Sequence, residues 1–387
     1  MATLVLASAA SMMSTDLYTP SLPHLPAVFN TTERAVQLTI SLNVLAFGIA
    51  QLFFGPLSDR FGRRPVILCG LVGFTAMSAA CALASTIDAL IAFRILQGIM
   101  GSVEAVVGLA IVRDLFAEVE RIKVLAIWGM AVALAPAAAP ILGGYIHVYL
   151  GWQANFGLVA GVAVVVTLLI FARLPESTRP NRQALAWSTL KVSLTSLVTS
   201  RIYMGNALLL GTSLGAIFVF ITGGPFVLIT YYGVATEQFG YFQAAIVLAF
   251  FFGSVFAGRW AERINVTRLL ALGVALSLLG GASLPIIWWL GLLSPVTLTA
   301  GMAVVGLGLG PIFAVAPSIA LEAFDEQAGM ASAVIGAVEM VCAGIASTVV
   351  TVLHNGTPGP MVWSALLFVA LSMVAWIWSN AGKRHSL

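Results

Sequence analysis

The sequence predicts an all-α integral membrane protein of about twelve transmembrane helices, arranged as two pseudo-symmetric six-helix bundles. Three observations predict it. Of the 387 residues, 60% are hydrophobic and only 9% charged, where a soluble domain carries about a quarter charged. The apolar runs are long, near the ~20 residues a helix needs to cross a bilayer, which argues for helices over barrel strands. The basic residues are also unevenly placed. Sixteen of the 18 Lys and Arg fall in alternate connections or at the C-terminus, with Arg34 and Arg94 the exceptions. That asymmetry predicts that the arginine-rich loops, the central connection and the C-terminus face the cytoplasm.

Spans are expected over residues 3–26, 36–57, 66–84, 89–112, 123–146 and 153–173, then 202–229, 239–260, 267–289, 297–321, 330–353 and 361–380. Met1 to Ala10 lacks the basic lead of a signal peptide and runs straight into Ser11–Asp16, so it is read as the first helix. Asp16 sits about halfway along it. At 3.6 residues per turn Ser8, Ser11, Thr15, Asp16 and Tyr18 share one arc. Such a polar stripe should face a watery cavity, because facing lipid is costly. Desolvation there favours the neutral carboxyl and a nearby cation the ionised one, so Asp16 can take up and release a proton as its surroundings change. The plain alternative is a carboxylate permanently paired to hold helices together.

Between the second and third spans lies Gly55-Pro-Leu-Ser-Asp59-Arg60-Phe-Gly62-Arg63-Arg64. Four ionised side chains are too costly for hydrocarbon, so a tight loop at the membrane surface is expected. Asp59 suits the positive end of a neighbouring helix, and Arg60, Arg63 and Arg64 suit acids on the inner surface. Such pairs can lock one side shut and break as it opens. Topology alone accounts for Arg63 and Arg64, but poorly for Gly55, Asp59 and Gly62 together.

In the fourth span Arg94 is the only mid-span Lys or Arg. It lies ~8 Å inside the outer end, and Asp16 ~15 Å, counting 1.5 Å per residue. An arginine side chain covers the difference if the two helices adjoin. Arginine keeps its proton, so it can act only as a fixed charge; the alternative is a structural arginine bonded to backbone carbonyls. Gly98, Gly101, Ala105 and Gly108 form a packing stripe. Glu104 lies two turns beyond Gln97 on the same face, where it can bind a cationic substrate, carry a second proton or pair with a neighbour. In the fifth span Pro136 and Pro140 bend the helix. With Ala139, Gly143 and Gly144 they suggest a close-packed pivot against Gly253, Ala257 and Gly258 of the eighth. Tyr18, Asn43, Phe47, Gln97, Asn206 and Glu339 are candidates to line a substrate cavity, Glu339 being equally suited to a helix–helix hydrogen bond.

The longest polar stretch, Pro175–Arg182 followed by residues 185–200, is expected to be a linker with a short interfacial helix bearing Trp187 and Lys191. It divides the chain in two, and Gly55-x-x-x-Asp59-Arg60 is faintly echoed by Gly258-x-x-x-Glu262-Arg263. Cys69, Cys81 and Cys342 have no metal or disulfide spacing. His24, His147, His354 and His385 are read as surface residues. No clustered nucleophile, base or metal ligands mark an enzyme, and neither an organic cofactor nor a nucleic-acid partner is expected.

These segments resemble the major facilitator superfamily, and within it the Bcr/CflA type of drug:proton antiporter with twelve helices. The resemblance covers nearly the full length. The Gly55–Arg64 loop matches the superfamily's signature, and Arg94-x-x-Gln97-Gly98 its intramembrane arginine motif. Ala139-Pro140-Ile-Leu-Gly143-Gly144 resembles the antiporter signature, with Ala139 where glycine is usual. Thr15-Asp16-Leu-Tyr18-Thr-Pro20-Ser-Leu-Pro23 and Gly329-Met-Ala-Ser-Ala333 resemble subfamily hallmarks. Glu104 departs from the pattern, where a small residue is usual. The resemblance implies two halves, 1–173 and 201–387, joined by 174–200 and rocking about a midplane cavity. It implies export of hydrophobic or amphipathic compounds from a bacterial cell, across the inner membrane, driven by inward proton flow. Asp16 would carry the proton and Arg94 would be its charge partner, in a monomer embedded in lipid; Glu104, from its own position in the fourth span rather than from the resemblance, is an expected auxiliary site. A dedicated exporter of one metabolite, such as a siderophore or an amino-acid derivative, and a proton-coupled importer are the alternatives.

Overall fold

A computed structural model describes residues 2–178, 194–322, 324 and 328–383. Among these residues there is no strand. Eleven helices are long and apolar enough to cross a membrane. The expected twelfth passage, residues 3–26, is not one helix. It is α1 (Ala2–Asp16), a 3₁₀ turn (Thr19–His24) and a short α2 (Leu25–Phe29). Pro20, Pro23 and Pro26 each lack the N–H that would continue the ladder, so the α-helix ends at Asp16.

The chain continues through α3 (Glu33–Phe61), α4 (Arg63–Ala82), α5 (Ile87–Leu115), α6 (Glu118–Leu150) and α7 (Trp152–Arg173). A short helix α8 (residues 194–199) leads into α9 (Arg201–Tyr231). Then come α10 (Thr236–Trp260), α11 (Val266–Trp289), α12 (Pro295–Leu321), α13 (Ala328–Leu353) and α14 (Gly359–Lys383). Side chains set several starts. Thr32, Thr86 and Ser200 accept the N3 amides of α3, α5 and α9, and Ser294 and Thr297 form a capping box on α12. Trp187 and Lys191 of the expected interfacial helix lie outside the described residues.

The expected loop at Gly55–Arg64 is mostly helix. Helix α3 runs on to Phe61, and Gly62 alone makes the reversal, at φ +100° and ψ 151°. Only glycine adopts that conformation readily. A Cβ there would also lie 2.6 Å from Glu176 Oε2.

Packing falls into two groups. Leu71, Val103, Val107 and Val166 belong to a core built by the first half, and Val219, Phe239, Leu309 and Phe368 to one built by the second. The groups meet along two seams, α3 against α13 and α6 against α10. The first seam combines close apolar contacts, Met340 on Gly48 and Leu45 on Gly344, with a cluster of hydroxyls. Ser41 Oγ lies 2.8 Å from Ser347 Oγ and 3.2 Å from Thr351 Oγ1, and Thr222 Oγ1 lies 2.6 Å from Ser347 Oγ. At its end, on the face opposite the arginine-rich turns, the His354 ring meets the Glu33 carboxylate. Arg34 there donates to the His354 carbonyl at 3.0 and 2.7 Å. The second seam is a backbone contact. A Cβ on Gly240 would lie 2.3 Å from Ile141 N, and one on Gly144 2.8 Å from Thr236 O.

Candidate functional site

Asp16 is buried where the two halves meet. Its Oδ1 accepts a hydrogen bond of 2.8 Å from Gln243 Nε2 of α10. Among the described residues, Gln243 Oε1, buried beside it, has no partner. The carboxyl therefore belongs to the boundary between halves, and its partner comes from the other half of the chain.

The expected Asp16–Arg94 ion pair is not formed; no salt bridge among the described residues joins them. Arg94 is fully buried in a cage of its own. Its guanidinium donates to Gln97 Oε1 at 2.6 Å, Thr15 Oγ1 at 3.2 Å and the Thr39 carbonyl at 3.3 Å. It also sits 5.5 Å over the Tyr18 ring and 5.8 Å over Phe156, contacts that stabilise a cation without a counter-ion. Depth along a helix axis does not fix direction around it. Consecutive helix residues point about 100° apart, so Thr15 faces Arg94 while Asp16 faces α10. Asn43 braces the same cage, donating to the Arg94 carbonyl at 2.6 Å. Gln97 passes the network on to Ser78 at 2.7 Å, and Tyr18 shares a 3.2 Å hydrogen bond with Thr39. Tyr18, Asn43 and Gln97, expected to line a substrate cavity, are instead buried supports for Arg94.

Glu104 is also buried, apart from both groups. Ser8 Oγ of α1 donates to its Oε1 at 2.5 Å, while Oε2 has no partner among the described residues. Helix α5 widens into a π turn at Glu104–Gly108. Gln97 and Glu104, expected to act from one face, have separate partners.

The arginine-rich turn is a network within the first half and the start of the connection that follows it. Asp59 pairs with Arg63 at 2.6 Å, and Arg63 Nε reaches Asp114 at 3.2 Å. The acid at the helix N-terminus is Glu176, not Asp59: its Oε1 accepts from Arg63 N at 2.9 Å and its Oε2 from Arg64 N at 3.3 Å. Arg64 also donates to the Phe171 carbonyl, Arg60 lies over the Phe61 ring, and Gly55 accepts from Ser58. Asp114 of the first half and Glu176 of the connection that follows supply the acids; neither stands out in the sequence, because only the fold sets them beside the basic cluster.

The fifth-span motif forms a contact, but not with the residues expected. Helix α6 continues through Pro136 and Pro140, and Ala139 is buried within the first half beside Leu17. Gly143 lies so close to α1 that a Cβ would stand 2.0 Å from Leu17 O. Gly144 and Pro140 meet α10 through Thr236 and Gly240. Gly253 packs on Leu307 and Gly310 of α12 instead, and nothing lies within 4 Å of a Cβ on Gly258.

Asn206 is a structural residue of the second half, donating to Ser379 Oγ at 2.9 Å and to the Ile202 carbonyl. Phe47 and Glu339 are half-buried on α3 and α13. One turn before Glu339, a Cβ on Gly336 would lie 2.8 Å from Gln51 Oε1 of the other half. His354, read as a surface residue, is buried. Among the described residues no group of three or more His, Cys, Asp or Glu is placed to hold a metal.

A family model described as Major Facilitator Superfamily matches residues 4–348. A chloramphenicol resistance protein of Pseudomonas aeruginosa is 32% identical over 375 residues, covering 95% of this chain and 88% of the relative. A bicyclomycin resistance protein homolog of Haemophilus influenzae is 29% identical over 367 residues, covering 93% and 91%. The crystal structure of a D-xylose–proton symporter superposes with a TM-score of 0.76 over 97% of this chain and 95% of that one. At 16% identity this is a likeness of fold.

Proposed function

The chain belongs to the Major Facilitator Superfamily, and we propose that it is a proton-coupled exporter of small hydrophobic or amphipathic compounds. It would work by alternating access across a bacterial inner membrane. Relatives named for chloramphenicol and bicyclomycin resistance support drug export. The observation that carries the coupling is the Asp16–Gln243 hydrogen bond between halves.

An ionised carboxylate only accepts, whereas a protonated one also donates. In this structure Gln243 gives one donor to Asp16 and keeps an acceptor, Oε1, with no partner among the described residues. A proton on Asp16 lets acid and amide satisfy each other in both directions, which favours the halves in contact at this level. Removing the proton leaves a buried charge with one neutral donor, which is costly, and favours a state in which water reaches it.

With the arginine-rich turns cytoplasmic, this contact closes the outer half of the pathway. A proton taken up from outside then promotes closure, and its loss to the inside promotes outward reopening with drug aboard. That sequence is antiport. Arg94 acts one residue removed, through Thr15, as a fixed cation that positions the break in the first passage.

The test is transport in proteoliposomes with an imposed pH gradient and chloramphenicol as the probe. Wild type should accumulate the drug against its gradient and move protons the opposite way. Asp16→Asn should bind the drug yet fail to concentrate it. Drug accumulation by Asp16→Asn equal to wild type would refute the coupling role, and drug and protons moving together would mark an importer.

A further inference from the structure

Glu104 is a buried acid that the mechanism above does not use. It lies between α1 and α5, inside the first half and away from both seams. Along α1 its partner Ser8 is eight residues before Asp16, about 12 Å at 1.5 Å per residue. The two carboxyls therefore occupy different depths and different surroundings.

Those surroundings are apolar. Beside Glu104 is a cavity of about 10 Å³, the size of roughly one water, whose walls include Ala7, Ser11, Leu71, Phe74, Met100 and Val166. The facing elements α1, α4, α5 and α7 contribute no other titratable or charged side chain to this lining. Among the described residues the carboxyl has one donor, the Ser8 hydroxyl, and one oxygen with no partner. An ionised carboxylate so placed would be an uncompensated buried charge. Its backbone is the start of a π turn, a local widening of the helix common at working sites.

We infer that Glu104, held by Ser8, is a second proton-binding site of the coupling reaction, built into the first half and separate from the Asp16 site. The inference rests on the exporter reading given above. The proton binds the carboxyl when α1 and α5 are apposed as here. It leaves when a shift of α1 against α5 breaks the Ser8 bond and admits water to the cavity. Each transport cycle then carries one proton through each of the two buried acids in turn, and the ratio of protons to drug exceeds that of an exporter with Asp16 alone.

Infrared difference spectroscopy of the full-length protein in lipid tests this, reading the stretch of protonated carboxyl groups with and without chloramphenicol. In Asp16→Asn a drug-sensitive protonated-carboxyl band should remain. It should vanish in Asp16→Asn/Glu104→Gln and persist in Asp16→Asn/Glu339→Gln. Ser8→Ala, which leaves the acid in place, should shift the band's frequency and its pH midpoint. In proteoliposomes Glu104→Gln should lower the proton-to-drug ratio by one while retaining transport. A band that survives in Asp16→Asn/Glu104→Gln, or that ignores the drug in Asp16→Asn, overturns the inference and leaves the Asp16 reading intact. Concentrative transport by Asp16→Asn would instead overturn that reading, whatever the infrared result.

Discussion

Gln243 donates its side-chain amide to the Asp16 carboxylate at 2.8 Å across the boundary between the two halves of the chain. The two residues are 227 positions apart, so the bond exists only when the halves are together. Gln243 is a positioning residue for the acid. Gln243→Leu should remove its only observed donor and favour the separated state. We expect transport to fall by about tenfold, a difference of about 1.4 kcal/mol, with the pH optimum displaced. Gln243→Glu should be more damaging, since it sets two acids side by side. An unchanged pH profile in Gln243→Leu would count against the pair.

Arg94 has three side-chain or carbonyl acceptors and two ring faces around it. Arg94→Met should leave Gln97 Oε1 without its donor in the core, at a cost of roughly 1–3 kcal/mol. Arg94→Lys keeps the charge but cannot fork to the same acceptors, and should fall between. Thermal unfolding in detergent measures the order wild type, lysine, methionine.

Gly143 and Gly258 make a matched pair of controls. A methyl at Gly143 would meet Leu17 O at 2.0 Å, while one at Gly258 meets nothing. Gly143→Ala should cost about 1–3 kcal/mol by overpacking and push the residue after Asp16 out of place, lowering transport. Gly258→Ala should behave as wild type. Equal melting temperatures for the two variants would contradict the close approach.

The Glu33–His354 contact ties the halves on the face opposite the arginine-rich turns. Glu33→Gln should loosen it by about 1 kcal/mol, as for a partly exposed pair. The expected readout is a several-fold faster reaction of a cysteine placed at Ser41 with a membrane-impermeant thiol reagent added from that face. No change in labelling rate would show that the contact does not hold the halves.

Much of the architecture could be read before the structure, because hydropathy and loop charge report directly on burial in lipid. Eleven of the spans lie where the apolar runs do. The opening passage misled for a definable reason: hydropathy is blind to the missing amides of Pro20, Pro23 and Pro26. Asp16 stood out because an acid in a greasy helix is rare. Gln243 did not, since a lone amide in α10 resembles many helix-packing residues and its partner comes from the other half. Arg94 was recognised, but depth along an axis says nothing of direction around it, and Asp16 faces elsewhere. Likewise the Gly55–Arg64 stretch looked like a loop because of its charges, while one glycine does the turning. The π turn at Glu104 has no sequence mark at all.

The hydroxyl contacts among Ser41, Thr222, Ser347 and Thr351 bear on tempo. A hydroxyl exchanges a neighbour for solvent at little net cost, whereas interlocked aliphatic chains would resist being wetted. The two contacts of Ser41 that cross the seam can therefore part and rejoin many times without adding to the trapping in either position. Methyl-for-hydroxyl replacements there would lengthen the shut interval step by step, giving a dial on turnover that leaves the acid chemistry untouched.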